Sequence, residues 1–429
     1  MVENSQKDKV HTFQPSRQPQ RSQPSQPPRK RVANLPDLIE IVNTKEGLRF
    51  LMSDGTLQEL ILSDGIIYIP AKPTLYAIPD EAVKNFLEKN DDTLFDDVSE
   101  YIFDHLDCPD RRHFGILTAF TFHSYLIEKA DASPIMRFYG SKGSGKSRGG
   151  GILTLLVRRG ISTANLTGPG LFRVNEFYAP TFIIDEIQIF GKKGDKDLRD
   201  MLNVRYRKGN KMIRINKDRD GLESIETFSA FGPTVLCGTE SLPDTVESRS
   251  ITFFMEPNIR DVKRHIDEER ARVLRNRLVA FRFRHFKTAL EEPERIVKDG
   301  RLDEVLLPLH QIVKLVRPEF EPEFIAFAKE LETDRKEKDF ESFDAEICRA
   351  LIKCRSKVTS GKIAVDDITY EVSAMRSYPM SPRAVGSALT RLGLKTCRIA
   401  GSGKYARFWD ESKIRRLAER FNVEYPEES

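Results

Sequence analysis

No apolar run in the 429 residues approaches the length needed to cross a bilayer, and the amino terminus is polar, without a hydrophobic signal core. No membrane partner is expected, and the expected compartment is the cytoplasm. Cysteine is scarce. Cys108, Cys237, Cys348, Cys354 and Cys397 are odd in number and scattered, and none has the paired spacing of a zinc site. Reduced, buried thiols are the expectation. An excess of one charge is missing too: the net charge is only +4, and it is concentrated in residues 1–33, where seven Lys or Arg face two acids. That segment is rich in Gln, Pro and Ser and too poor in apolar residues to fold, so it reads as a disordered basic tail. Two roles stay open for it, weak contact with nucleic acid or plain solvation.

The whole chain is 39% hydrophobic and 31% charged, the balance of a soluble protein with a highly charged surface, and the length suits two or three domains. Its most informative stretch is Gly140-Ser141-Lys142-Gly143-Ser144-Gly145-Lys146-Ser147. Gly, four residues, then Gly-Lys-Ser is the phosphate-loop pattern: glycines let backbone N–H groups wrap a triphosphate, and the following helix start favours its charge. Lys146 is placed to reach the β- and γ-phosphates and Ser147 to hold magnesium. A glycine-rich surface loop would be the plain alternative. Met136-Arg137-Phe138-Tyr139 reads as a strand before the loop, however, and Gly151 to Leu156 as a buried helix after it.

Thr181-Phe182-Ile183-Ile184-Asp185-Glu186 is an apolar strand that delivers two carboxylates to a sheet edge. Asp185 lies 38 residues beyond Ser147, which leaves room for the loop helix and one further strand–helix step. Asp185 is thus the second magnesium anchor, and Glu186 the candidate base for the attacking water. ATP and Mg2+ are the implied cofactors.

Around these motifs, short β-like runs fill Leu38 to Pro79, with turns at Ser53-Asp54-Gly55 and Ser63-Asp64-Gly65. Helical patterns follow in 81–89, 94–106 and 112–129. Past Glu186 come a helix at 197–207 and two strands, 211–216 and 224–230, joined through Lys217-Asp218-Arg219-Asp220-Gly221 by an Asp-Gly hairpin turn. Strands at 234–238 and 246–255 complete an open α/β sheet. A long basic helix is predicted over 261–286, with ten Lys or Arg against four acids between Arg260 and Lys287. Helices at 302–316 and 323–333 follow, and 334–338 reads as a charged connection. In the last module Ser381 caps a helix that Pro382 opens and Gly393 stops, and 396–399 with 405–409 form a hairpin. Three helices and a β-wing make a winged helix, with Arg383, Arg391, Lys395, Arg398, Lys404 and Arg407 as its basic set. Such modules bind proteins as well as DNA.

With these residues the chain resembles AAA+ ATPases of the replicative-helicase type encoded by phages and integrated mobile elements, which themselves resemble the minichromosome-maintenance helicases. The likeness covers about Pro134 to Glu419. Its anchors are the phosphate loop, Ile183 to Glu186, Leu-Asn-x-x-Tyr-x-x-Gly at 202–209, Phe231-Gly232-Pro233, Ser248-Arg249-Ser250, and the carboxy-terminal Ser-Pro-Arg-Ala-Val-Gly and Leu-Gly-Leu-Lys.

The resemblance implies a P-loop AAA+ core at 111–257 and a helical lid at 258–338. The winged helix at 339–429 follows, and a β/α region at 34–110 precedes the core. It implies that Thr239 takes the first sensor position, in place of the more usual Asn. It also implies that Arg249 is an arginine finger lent to a neighbouring subunit, and that Arg301 is a candidate second sensor. Lys217 and Arg219 would grip DNA phosphates from a hairpin in a ring channel; without the family context that hairpin reads as an ordinary exposed turn. The implied function is a ring-forming, hexameric ATP-dependent DNA helicase or translocase in DNA replication, in contact with DNA and with other replication proteins. A helicase loader and an ATP-switched DNA-binding regulator share the same ATPase residues.

Overall fold

The computed structural model describes residues 27–164, 168–185, 196–216, 218–376, 378–399 and 403–426. Six short strands come first: β1 (Arg29–Val32), β2 (Leu38–Thr44), β3 (Gly47–Met52), β4 (Leu57–Gln58), β5 (Ile61–Ser63) and β6 (Ile66–Pro70). They form two three-stranded sheets, β1-β6-β5 and β2-β3-β4. Residues 29–32, expected to belong to the basic tail, are strand β1, paired parallel to β6. Sheet pairing supplies the backbone partners that composition alone does not promise.

Helices α1 (Leu94–His105) and α2 (Arg112–Tyr125) lead into β7 (Ile135–Gly140), α3 (Lys146–Leu156), β8 (Gly160–Thr163), α4 (Gly168–Tyr178), β9 (Thr181–Ile184) and α5 (Lys196–Arg205). The antiparallel pair β10 (Lys211–Ile215) and β11 (Ile225–Ser229) precedes β12 (Thr234–Gly238), the short α6 (Asp244–Glu247) and β13 (Ser250–Met255). Five of these strands make one parallel sheet in the order β13-β7-β12-β9-β8. All four residues of β9 are buried, as a strand covered on both faces requires. Helix α3 lies close on this sheet because it carries glycines there. A Cβ on Gly149 would come within 2.9 Å of the Phe138 ring, and one on Gly150 within 2.7 Å of Cys237 Sγ.

The helical block is α7 (Glu268–His285), α8 (Gly300–Val316) and α9 (Glu321–Phe340). Two expectations change here. Helix α7 begins at Glu268, capped by Asp267, rather than at 261. The preceding segment is held outside the helix by Asp107, which accepts from the Ile259 and Arg260 amides at 2.8 and 3.0 Å, and by Asp104 O, which accepts from Lys263 N at 2.8 Å. Residues 334–338, read as a connection, instead continue α9. Lys336 pairs with Glu332 one turn back at 3.2 Å, and Arg335 donates to the Ser248 and Ser250 carbonyls at 3.1 Å each.

One hydrophobic cluster joins Ile39, Val42 and Leu51 to residues of α1, α2, the sheet, α3 and α7–α9, so the first β region is packed into the same core. A buried charge network reinforces the join. Glu40 on β2, 2% exposed, accepts from Arg159 Nε at 2.8 Å and Arg158 Nε at 3.0 Å.

The last unit has its own cluster. It comprises α10 (Phe343–Lys353), β14 (Lys362–Ala364), α11 (Val365–Ala374), α12 (Pro382–Arg391), β15 (Thr396–Arg398), β16 (Tyr405–Phe408) and α13 (Glu411–Arg420), with the sheet order β14-β16-β15. Ser381 Oγ caps α12 by accepting from Ala384 N, and Gly393, at φ +80°, ends it. Among the described residues no helix is long and apolar enough to cross a membrane.

Candidate nucleotide-binding site

Strand β12 lies between β7 and β9, so the carboxyl ends of all three open side by side. Gly140 ends β7 there, and Thr239 and Asp185 follow β12 and β9, at the end of a parallel sheet where ligands of α/β folds sit. The loop between β7 and α3 turns sharply at Gly143 (φ +84°) and Gly145 (φ +87°), a left-handed conformation that suits glycine. Gly140 is needed for closeness: a Cβ there would lie 2.2 Å from Met255 O and 2.8 Å from Ser144 Oγ. Ser144 Oγ donates back to Ser141 O at 2.9 Å and closes the loop on itself.

Lys146 opens α3 and is nearly buried, its Nζ folded onto Ser141 O and 3.4 Å from Ser144 Oγ. A cation inside a glycine loop at a helix start is the receptor a phosphate chain requires. Ser141, Lys142, Gly143 and Ser147 are exposed, so the cradle opens to solvent. Ser147 Oγ donates to Asp185 Oδ1 at 3.1 Å. Two neighbouring ligands of an octahedral magnesium, each at about 2.0–2.1 Å, lie about 2.9 Å apart, so this pair fits the ion with little movement. One hydroxyl and one carboxylate form the sparse protein set that magnesium takes when phosphate and water complete its shell. Cys237 beneath the loop is buried, and burial together with the neighbouring Asp185 pushes its thiol pKa up, so it stays protonated.

Glu186 and Lys217 lie outside the described residues. Thr239 is exposed at the end of β12. Arg137, which the sequence reading passed over, is buried in β7, stacks on Tyr139 at 4.2 Å and donates to Glu240 O, bracing the turn that carries Thr239. Its signal was an arginine in the middle of an apolar strand.

Arg249 and Arg301 stand elsewhere. Ile135 N, at the start of β7, donates to Arg249 O at 3.0 Å, which puts Arg249 at the opposite end of the sheet from the glycine loop. Six residues of strand separate the two, about 17–20 Å. Arg301 Nη1 donates to Tyr206 Oη at 2.6 Å, and Arg249 lies over the same ring.

The expected hairpin is β10–β11, but its tip is not the tight Asp-Gly turn. Asn216 N closes it on Ser224 O at 2.7 Å, and Asp220 is extended, so that among the described residues of the tip Gly221 alone has positive φ (+59°). Asn216 Oδ1 instead accepts from Asp218 N at 3.0 Å, an Asx turn that opens the loop. Arg219 is exposed on this tip.

In the last unit Arg383, Lys395 and Arg398 are exposed. Arg391 is turned to Asp344 of α10, and Lys404 lies 3.6 Å from Asp366. Arg407 is not a surface cation: buried, it donates to Gly386 O at 2.6 Å, Thr396 Oγ1 at 2.6 Å and Thr390 Oγ1 at 3.0 Å, tying the sheet to α12. A groove of about 650 Å³ remains between α12 and the β15–β16 hairpin, with Arg383 and Tyr405 in its walls.

No protein-family model and no curated protein matches the chain. Solved structures similar to it include the NrS-1 C-terminal region, at 14% identity and a TM-score of 0.38 over 82% of each chain. A full-length MCM homolog from Methanopyrus kandleri matches at 14% identity and a TM-score of 0.38, over 68% of this chain and 72% of that one. JCV helicase matches at 12% identity and a TM-score of 0.27, over 58% and 62%.

Proposed function

We propose that the chain is an AAA+ ATPase that assembles into a hexameric ring and drives DNA unwinding or translocation in the replication of a phage or mobile genetic element. One observation carries the ATPase part: Ser147 and Asp185, distant in sequence, meet 3.1 Å apart at the mouth of a glycine loop that holds a nearly buried lysine. In this reading Gly140 to Gly145 bind the phosphates through their amides, Lys146 neutralises the β- and γ-oxygens, and Ser147 and Asp185 hold the metal. Magnesium, when bound, supplies countercharge to the phosphate chain. Glu186 accepts the proton of the attacking water as the γ-phosphorus gains that oxygen and releases ADP, and Thr239 orients the water.

Arg249 and Arg301 serve the site of a neighbouring subunit, because their own loop is a strand length away. Residues 258–338 act as the lid. Residues 339–429 act as a winged helix that meets DNA through Arg383, Lys395 and the hairpin carrying Lys404, and Arg391 contributes only if released from Asp344. The β10–β11 hairpin, with Lys217 and Arg219, touches DNA phosphates without reading sequence, which suits a motor that steps along any strand.

Purified protein with ATP and magnesium should unwind a forked duplex, Lys146→Ala and Asp185→Ala should abolish hydrolysis, and Glu186→Gln should trap bound ATP. ATP turnover without unwinding would move the assignment to a helicase loader or an ATP-switched regulator. Absence of turnover in the wild type would remove it altogether.

A further inference from the structure

Tyr206, which directly follows α5, is 5% exposed, and its carbonyl accepts from Ser133 N at 2.7 Å just ahead of β7. Two guanidinium groups gather on it. That of Arg249 lies 4.4 Å from the ring centroid and that of Arg301 5.2 Å, while Arg301 Nη1 donates to the phenol oxygen at 2.6 Å. Glu304 pairs with Arg301 and also lies 3.6 Å from Arg207. Arg249 is different. Among the described residues no carboxylate pairs with it, and its Nε is buried without a hydrogen-bond partner.

A desolvated guanidinium donor left unpaired is costly, and among the described residues Arg249 has no carboxylate beside it to offset that cost. Two cations on one ring also repel each other. A multivalent anion arriving from outside would relieve that repulsion and give Arg249 the counter-charge it lacks. The anion cannot be the chain's own nucleotide, since the glycine loop opens at the other end of β7. It must be presented by a second molecule.

We propose that Tyr206 is a positioning residue that fixes Arg249 and Arg301 as one clamp for the terminal phosphate of a nucleotide held by an adjacent copy of this chain. The ring supports Arg249 by cation–π contact and the hydroxyl orients Arg301. The inference rests on the ATPase-ring reading and adds to it a residue that touches no substrate.

The test uses the full chain, with ATP turnover measured over a range of ATP concentrations and thermal melting as the check on folding. Tyr206→Leu removes ring and hydroxyl and should lower kcat about 10²-fold, with KM for ATP within about twofold, the signature of lost transition-state positioning. Tyr206→Phe keeps the ring and should lower kcat about tenfold, as loss of one charge-assisted hydrogen bond does. Adding Arg301→Ala to Tyr206→Phe should then cost no more than Arg301→Ala alone.

Mixing Tyr206→Leu with Lys146→Ala chains should restore partial turnover, because one variant keeps its glycine loop and the other its clamp. A residue that merely supports its own subunit would not be rescued in this way. Wild-type turnover in both Tyr206 variants, while Arg249→Ala is inactive alone and rescued by Lys146→Ala, would overturn the clamp and leave the shared site standing. Additive losses for Tyr206→Phe and Arg301→Ala would overturn it equally. Should Tyr206→Leu fail to fold, the Tyr206→Phe cycle decides. No rescue of Arg249→Ala at any ratio would sink the shared site and the clamp with it.

Discussion

At the scale of single residues, the chain places charges where they have partners and where removing one partner is expensive. Glu40 shows this best. Burial opposes its ionisation, but Arg159 and Arg158 outweigh burial and hold its carboxyl below the ordinary 4.5. Glu40→Gln strips buried Arg159 of its carboxylate and leaves buried Arg158 with Glu128 alone, at 3.5 Å, and should destabilise the fold by about 3–5 kcal/mol at neutral pH. A carboxylate whose folded pKa is depressed stabilises above its unfolded value, and that contribution is lost as pH falls through the folded value. The gap between wild type and Glu40→Gln in urea melts should therefore be full at pH 7 and narrow progressively below about pH 4.5. A gap independent of pH would mean that the carboxylate charge is not what holds the first β region on the core.

At the scale of elements, Arg205 explains why Phe231-Gly232-Pro233 stands where it does. Its five N–H groups are all engaged: Nε with Thr234 Oγ1 at 2.9 Å, Nη1 with Asn175 Oδ1 and Ala230 O, and Nη2 with Pro180 O and Pro233 O. The end of α5, the starts of β9 and β12, and the base of the β10–β11 hairpin are joined through this one side chain. A Cβ on Gly232 would sit 2.6 Å from Arg205 Nη2, which has no free direction in which to yield. Gly232→Ala should cost about 1–3 kcal/mol in thermal or denaturant melts. The hairpin tip carries a separate expectation. Lys217→Ala with Arg219→Ala should keep basal ATP turnover and lose DNA stimulation and unwinding. The salt slope of single-strand affinity should flatten by roughly 0.7 for each lost phosphate contact. An unchanged slope with normal unwinding would exclude the hairpin as a DNA contact.

At the scale of the whole molecule, the last unit, with its own hydrophobic cluster, begins later than the charged run suggests. Arg335, within that run, donates to the carbonyls of Ser248 and Ser250 on either side of Arg249. A chain ending at Asp334 should lose these charge-assisted bonds, about 1.5–3 kcal/mol each, and with them turnover that depends on Arg249. A chain ending at Glu341 keeps α9 whole and removes the unit that has its own hydrophobic cluster. It should retain ATP turnover and bind DNA more weakly. Equal turnover in the two truncations would show that α9 does not support Arg249.

The sequence by itself determined what depends on neighbours along the chain. The glycine loop, its lysine, the apolar strand ending in Asp185 and the Ser381–Pro382 helix start are local patterns, and each appears at the expected residues. So do the strands flanking the hairpin. Tertiary structure decided what depends on partners far along the chain. Residues 29–32 became a strand because β6 offered an edge, and 334–338 stayed helical because Arg335 found the carbonyls of Ser248 and Ser250 at the start of β13. Segment 261–267 stayed out of α7 because Asp104 holds its backbone at Lys263 and Asp107 holds the two amides just ahead of it. Arg407 and Arg391 read as surface cations in sequence, and only packing shows one buried as a brace and the other turned to Asp344. The meeting of Arg249 and Arg301 on Tyr206 belongs to the same class. Charge and helical propensity are properties of short stretches, whereas burial and pairing are settled by which distant groups the fold brings within a few ångströms.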